Sequence, residues 1–281
     1  MHSESAFKTG DGMELYAQQW VPESGVRARL VLIHGFGDHS SRYAHVAAHF
    51  NGAGIAVHTY DQRGHGKSPG RRAYISRFDD LLADLDAFLA WSRDTLAGAP
   101  LFLMGHSMGG MVLTRYVQTR AVHAAGLVFS SPFLGFPDDV PKVLLKIAGL
   151  LSAVFPGLPV GAVDNRGLSR LPDVVAAADA DPLTFHGRVA AKTGAQFHTT
   201  IQSAEKDYGA ITLPSLVLHG EADRVVPCSG GVRLFEGMGA GDKTLRLFPG
   251  GYHELWNDTD QEAFLREVAG WIGARASAAG A

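Results

Sequence analysis

Two rhythms of apolar residues alternate along this chain. Continuous apolar runs at 29–34, 54–60, 101–104 and 125–129 read as strands buried on both faces, while Met13 to Trp20 alternates in the manner of an edge strand. Between the runs, Phe78, Leu81, Leu82, Leu85, Phe88, Leu89 and Trp91 recur at helical spacing, as do Phe264, Val268 and Trp271. Strands alternating with helices predict an α/β fold in which a mainly parallel sheet carries helices on both faces. The rhythm stops after Ser131-Pro132. Helical fragments broken by Pro141, Pro156, Pro159 and Pro172 follow, and Leu216 resumes the strand series. Residues 133–210 therefore read as an insertion in a core made of 1–132 and 211–281. A length of 281 residues, 46% of them hydrophobic, suits one such core and argues against a second independent domain.

The strand-like run from Leu101 enters Gly105-His106-Ser107-Met108-Gly109, and Met111 to Val117 continues at helical spacing. This is a candidate nucleophile elbow, a turn so tight that bulky neighbours two positions away collide and the serine hydroxyl is pushed out above the sheet. Gly66-Lys67-Ser68-Pro69-Gly70 fits the same pattern, but no apolar strand leads directly into it, and Pro69 and Gly70 oppose a helix there. It also ends like a phosphate-binding loop, yet Asp61 stands where that loop needs its first glycine.

A nucleophilic serine on such an elbow requires an acid and then a histidine later in the chain. Leu216-Val217-Leu218 leads into a loop holding Glu221 and Asp223, and Leu245 to Phe248 leads into Pro249-Gly250-Gly251-Tyr252-His253. His253 is the one histidine that follows those carboxylates. An oxyanion hole needs two backbone N–H groups. Met108, directly after the serine, supplies one, and Phe36, after the strand that ends in His34-Gly35, supplies the other.

His34-Gly35-Phe36-Gly37-Asp38-His39-Ser40-Ser41-Arg42-Tyr43, Tyr60 to Ser68, Gly105 to Gly110, and His219-Gly220 with Asp223 and His253 resemble the monoacylglycerol lipases and lysophospholipases, from about residue 7 to 275. The resemblance implies an alpha/beta-hydrolase fold and a triad of Ser107, Asp223 and His253, with Glu221 a loop residue. It also implies that 133–210 is a helical cap above the elbow, forming the substrate pocket. Asp38 departs from the family's glutamate and changes local hydrogen bonding. The cap run of Val143, Leu144, Leu145, Ile147, Leu150, Leu151, Val154 and Phe155 is unusually apolar. Leu144, Leu145, Ile147 and Leu151 are its substrate-binding candidates, and the same side chains could touch lipid or simply pack cap on core. Lys146 and Pro156 leave the run far short of the ~20 residues that span a bilayer.

The implied reaction is hydrolysis of a lipid ester through an acyl-enzyme, with no metal or organic cofactor. Monoacylglycerol is the first substrate, and lysophospholipids or short esters are alternatives. Acyl transfer, peptidase action and binding without catalysis are further alternatives. A net charge of −3, from 25 basic and 28 acidic residues, offers no patch for nucleic acid. One cysteine, Cys228, precludes an internal disulfide and suits a reducing, cytoplasmic setting, and the first residues lack the pattern of a secretory signal. Cys228 reads as a small buried apolar residue. His45 and His49 share a helical face but lack the adjacent glutamate of a zinc motif. His34 and His106 read as loop braces, Asp61 and Arg63 as structural charges, and the terminal Ala-Ser-Ala-Ala-Gly-Ala as a frayed tail.

Overall fold

The structure, a computed structural model, describes residues 1–93, 98–137 and 140–279, with the side chains at 142–146 and 279 left out. Among the described residues eight strands form one sheet: β1 (His2–Lys8), β2 (Glu14–Trp20), β3 (Ala28–Ile33), β4 (Ile55–Tyr60), β5 (Leu101–His106), β6 (Gly126–Ser130), β9 (Ser215–Gly220) and β10 (Lys243–Phe248). Their spatial order is β1-β2-β4-β3-β5-β6-β9-β10. From β4 to β10 every neighbour is parallel.

The continuous apolar runs have a direct cause. Successive β3 side chains point into two different cores, Leu30 and Leu32 into one, Val31 and Ile33 into the other. Helices α2 (Phe78–Trp91) and α3 (Met108–Thr119) cover one face, and α1 (Ala44–Gly52) and α8 (Gln261–Ala279) the other. On α2, Phe78, Leu81, Leu82, Leu85 and Phe88 are buried as their spacing predicts.

Two expectations need correction. The edge strand is β1, which pairs antiparallel with β2 from His2↔Trp20 to Lys8↔Glu14, so Met13–Trp20 lies one strand in. Only Phe7 of β1 is buried, so that strand carries no apolar alternation. The terminal alanines continue α8 as far as Ala279 and bury Ala276, in keeping with alanine's helix propensity.

Between β6 and β9 lie α4 (Lys142–Val154), β7 (Pro159–Gly161), α5 (Pro172–Ala180), β8 (Val189–Ala190), α6 (Ala191–Lys206) and α7 follows β9 at Cys228–Gly237. The short β7–β8 pair was not expected among helical fragments. Helix α6 packs on α3 and α4 and sends Phe197, Ile201 and Ala204 into the main core. No helix among the described residues is long and apolar enough to cross a membrane.

Candidate active site

Ser107 is the single residue between β5 and α3, and it turns the chain at φ 53°, ψ −118°. A non-glycine residue held there costs on the order of 1–3 kcal/mol. Its surroundings hold it: Ser107 N–H donates to Ser130 O at 3.0 Å, and Ser107 O accepts from Gly110 N at 2.9 Å and Phe133 N at 3.0 Å. The flanking glycines serve close approach. A Cβ on Gly105 would collide with Gly109 O, one on Gly109 with Ile33 O, and one on Gly110 would lie 2.8 Å from Pro132 Cβ. Ser68, in the second Gly-x-Ser-x-Gly, is consumed structurally. Its Oγ donates to Asp61 O at 2.5 Å and accepts from Tyr16 N at 3.0 Å.

The loops after β9 and β10 bring Asp223 and His253 together, with His253 Nδ1 2.7 Å from Asp223 Oδ2. Asp223 Oδ1 accepts from Val225 N at 2.8 Å and Val226 N at 3.0 Å. His219, on β9, reaches the same Oδ2 at 3.1 Å, a contact that sequence spacing did not reveal. Glu221 is exposed. Burial alone would push the Asp223 carboxyl up, but the His253 charge and hydrogen bonds from His219 and His253 prevail and hold it well below the usual carboxylate range. Burial pulls His253 down, and the Asp223 charge and hydrogen bond outweigh it, raising His253 above the ordinary 6.5. The His106 ring lies 4.8 Å from that of His253, tilted at 48°, and burial together with that neighbour keeps it well below 6.5 and neutral.

The Gly35–Phe36 peptide lies beside the serine, since a Cβ on Gly35 would be 3.2 Å from Ser107 Cβ. His34 clamps that peptide. Its Nε2 accepts from Gln62 N at 2.9 Å, which leaves Nδ1–H to donate to Gly35 O at 2.7 Å. Because Gly35 O and Phe36 N–H belong to one rigid peptide plane, fixing the carbonyl aims the N–H. Two residues on, Gly37 O accepts from Phe185 N at 2.8 Å. Asp181 Oδ2 meets His39 Nε2 at 2.8 Å, so the 181–185 stretch of the inserted segment is tied to this loop, while Arg72, from the segment after β4, donates to Leu183 O at 3.0 Å.

Ser107, Phe36 and His253 open onto one pocket of about 420 Å³. Phe133, Phe136, Val160, Phe185 and Phe197 form much of its apolar wall. From α4, Ala148 and Leu151 line it, whereas Ile147 is 41% exposed and lies outside the lining, a correction to its candidate role. Leu144 and Leu145 lie outside the described side chains. At the polar end Arg42 grips Glu254 through two 2.7 Å hydrogen bonds and Asp38 through one at 3.0 Å, while Tyr43 OH donates to Asp38 at 2.8 Å. Arg42 and Glu254 are 212 positions apart, and no sequence spacing links them.

The other flagged residues have local duties. Asp61 accepts from Ser40 N and Lys67 N, and Arg63 pairs with Asp84 rather than with Asp61. His45 binds Trp256 O at 3.1 Å. Cys228 is half-buried rather than buried. Burial and the charges of Glu221 and Asp223 push its thiol up, away from the thiolate form.

A mostly parallel sheet that presents a serine, an acid and a histidine beyond the ends of successive strands is the architecture of the alpha/beta-hydrolases. The family described as serine aminopeptidase, S33, matches residues 24–260. The chain is similar to the monoacylglycerol lipase of Mycolicibacterium smegmatis, 34% identical over 96% of each chain. It is 32% identical to the monoglyceride lipase of Rattus norvegicus, over 96% of this chain and 90% of that one. The crystal structure of Paleococcus ferrophilus monoacylglycerol lipase superposes with a TM-score of 0.84 at 35% identity, over 94% of this chain and 100% of the other. The chain belongs to the monoacylglycerol lipase family of alpha/beta-hydrolases, and it is a carboxylic ester hydrolase.

Proposed function

We propose that this protein hydrolyses monoacylglycerols to glycerol and a fatty acid, with Ser107 as nucleophile, His253 as general base and acid, and Asp223 orienting the imidazole. The observation that carries this is the 2.7 Å contact between His253 Nδ1 and Asp223 Oδ2. With Nδ1 committed to the carboxylate, Nε2 remains to take the serine proton. Ser107 Oγ attacks the ester carbonyl as that proton leaves, and the Phe36 and Met108 N–H groups receive the oxyanion, each worth roughly 3–4 kcal/mol. The tetrahedral intermediate collapses, His253 returns the proton to the departing glycerol oxygen, and water repeats the sequence on the acyl-enzyme.

The pocket supports the substrate class. Its aromatic and aliphatic wall suits an acyl chain, and the Asp38–Arg42–Glu254 end suits the hydroxyls of glycerol. Residues 133–210 act as the cap over that pocket. On it, Leu150, Val154 and Phe155 are 69%, 59% and 60% exposed and would meet the lipid from which substrate is drawn. Peptidase action is disfavoured because an aminopeptidase needs a free carboxylate for the substrate amine. Among the described residues lining the pocket, Asp38 and Glu254 are both held by Arg42, and Asp164 by Arg166.

The test compares release from monoacylglycerols of rising chain length with matched lysophosphatidylcholines, p-nitrophenyl butyrate and an aminoacyl amide. The highest kcat/KM is expected on a long-chain monoacylglycerol, with no amide turnover. A preference for either other ester would replace the substrate, and amide turnover would replace the class.

Acyl length is set in part by Gly194 on α6, which lines the pocket and where a Cβ would sit at an ordinary 3.5 Å from Val160. Gly194→Phe places a ring in the acyl channel without straining the helix. Its kcat/KM on long-chain substrates should fall about 10- to 100-fold while short esters are spared. Equal losses on both series would remove Gly194 from the chain-length determinants.

A further inference from the structure

We propose that His219 is a positioning residue of the reaction, a second imidazole donor that fixes the Asp223 carboxylate and sets how strongly it draws on His253. The inference rests on the assignment of Asp223 and His253 given above.

His219 is the penultimate residue of β9, four residues before Asp223, and both side chains are fully buried. Its Nε2 lies 3.1 Å from Asp223 Oδ2. Its Nδ1 has no hydrogen-bond partner among the described residues. That nitrogen faces Gly231 on α7, where a Cβ would come within 2.8 Å of it. A proton on Nδ1 would be buried without an acceptor, so the ring carries its proton on Nε2 and donates it to the carboxylate. Packing does not account for an imidazole here. The neighbouring Leu216, Val217 and Leu218 are wholly buried aliphatics, and a leucine at 219 would leave no orphaned nitrogen.

Asp223 therefore receives four donors, two backbone N–H groups on Oδ1 and two imidazoles on Oδ2. The backbone pair stops the carboxylate from rotating. The shared Oδ2 divides its electron density between two rings, so His253 Nδ1–H is pulled less strongly than by a carboxylate with one imidazole partner. His219 thus trims the basicity of His253 while holding its acceptor in line. The other groups facing this cluster are Cys228 on α7, Glu221 on the acid loop, His106 on β5, Glu254 beside His253, and Asp38 with Arg42 after β3. None changes when His219 is replaced, so a shift in the pH profile reports the lost donor.

The experiment measures kcat, KM and the pH dependence of kcat/KM on a monoacylglycerol and a p-nitrophenyl ester for wild type, His219→Leu, His219→Gln and Ser107→Ala. The low-field proton signal of His253 Nδ1 is followed by NMR in the folded proteins. His219→Leu should lower kcat about tenfold with KM within about twofold, and move the acidic limb up by about half a pH unit or more. His219→Gln, whose amide nitrogen reaches the same oxygen, should restore both limb and proton signal. If the leucine variant does not fold, His219→Asn, too short to reach Asp223, takes its place. An unmoved limb in the donor-less variant, or a glutamine variant as impaired as it, overturns the proposal. Retained hydrolysis in Ser107→Ala would instead overturn the serine mechanism beneath it.

Discussion

Ser107→Ala should reduce kcat on any ester substrate by about 10⁴- to 10⁶-fold while leaving the fold intact. The hydroxyl is the only atom removed, and the φ of 53° burdens alanine as it burdens serine, because both carry a Cβ. The hydrogen bonds that hold position 107 come from its backbone, so thermal stability should stay within about 0.5 kcal/mol of wild type. Fatty-acid titration and a thermal melt on one preparation decide the matter. More than about 1% residual activity with a native melt would show that another group attacks the ester.

Asp223→Asn should cost about 10⁴-fold in kcat near neutral pH. Oδ1 already accepts two backbone N–H groups, so the amide must turn its NH₂ toward the Oδ2 site. There it faces His253 Nδ1 donor to donor, and the imidazole must flip its tautomer, placing a hydrogen on the Nε2 that ought to accept the serine proton. The same change alters the pH profile. Wild-type kcat/KM rises as His253 loses its proton, with a midpoint above 6.5 because the Asp223 charge raises that group. Without the charge the residual activity should titrate at lower pH, the direction opposite to that expected for His219→Leu. A variant that keeps wild-type kcat, or a midpoint that does not fall, would remove Asp223 from its place behind His253.

Much of this was legible because the physics is local. Strands β3 to β6 announce themselves as apolar runs since both faces are buried, and the elbow is visible because helix α3 lies too close to β5 for a Cβ at 105 and too close to the end of β3 for one at 109. β1 is silent, as its place is set by pairing along β2 and not by burial. The proposed acid and histidine follow from chain order, but the His219 contact depends on how the loop after β9 folds back on the strand four residues away, and the grip of Arg42 on Glu254 exists only once segments 212 positions apart meet. Helix α4 shows a different limit. Its apolar residues cover more than one face, and periodicity could not say that Leu151 turns into the pocket while Ile147 and Leu150 turn out.

The ties from 181–185 to Gly37 and His39 bear on how this enzyme can be re-engineered. A chimera that imported a relative's insertion to change substrate preference would treat the proposed cap, 133–210, as a cassette. Here its distal part supplies hydrogen-bond partners to the loop that carries Phe36, so a swap across the full span would exchange the support of that proposed oxyanion donor along with the pocket wall. The portable unit ends at 180, with the native 181–185 left in place.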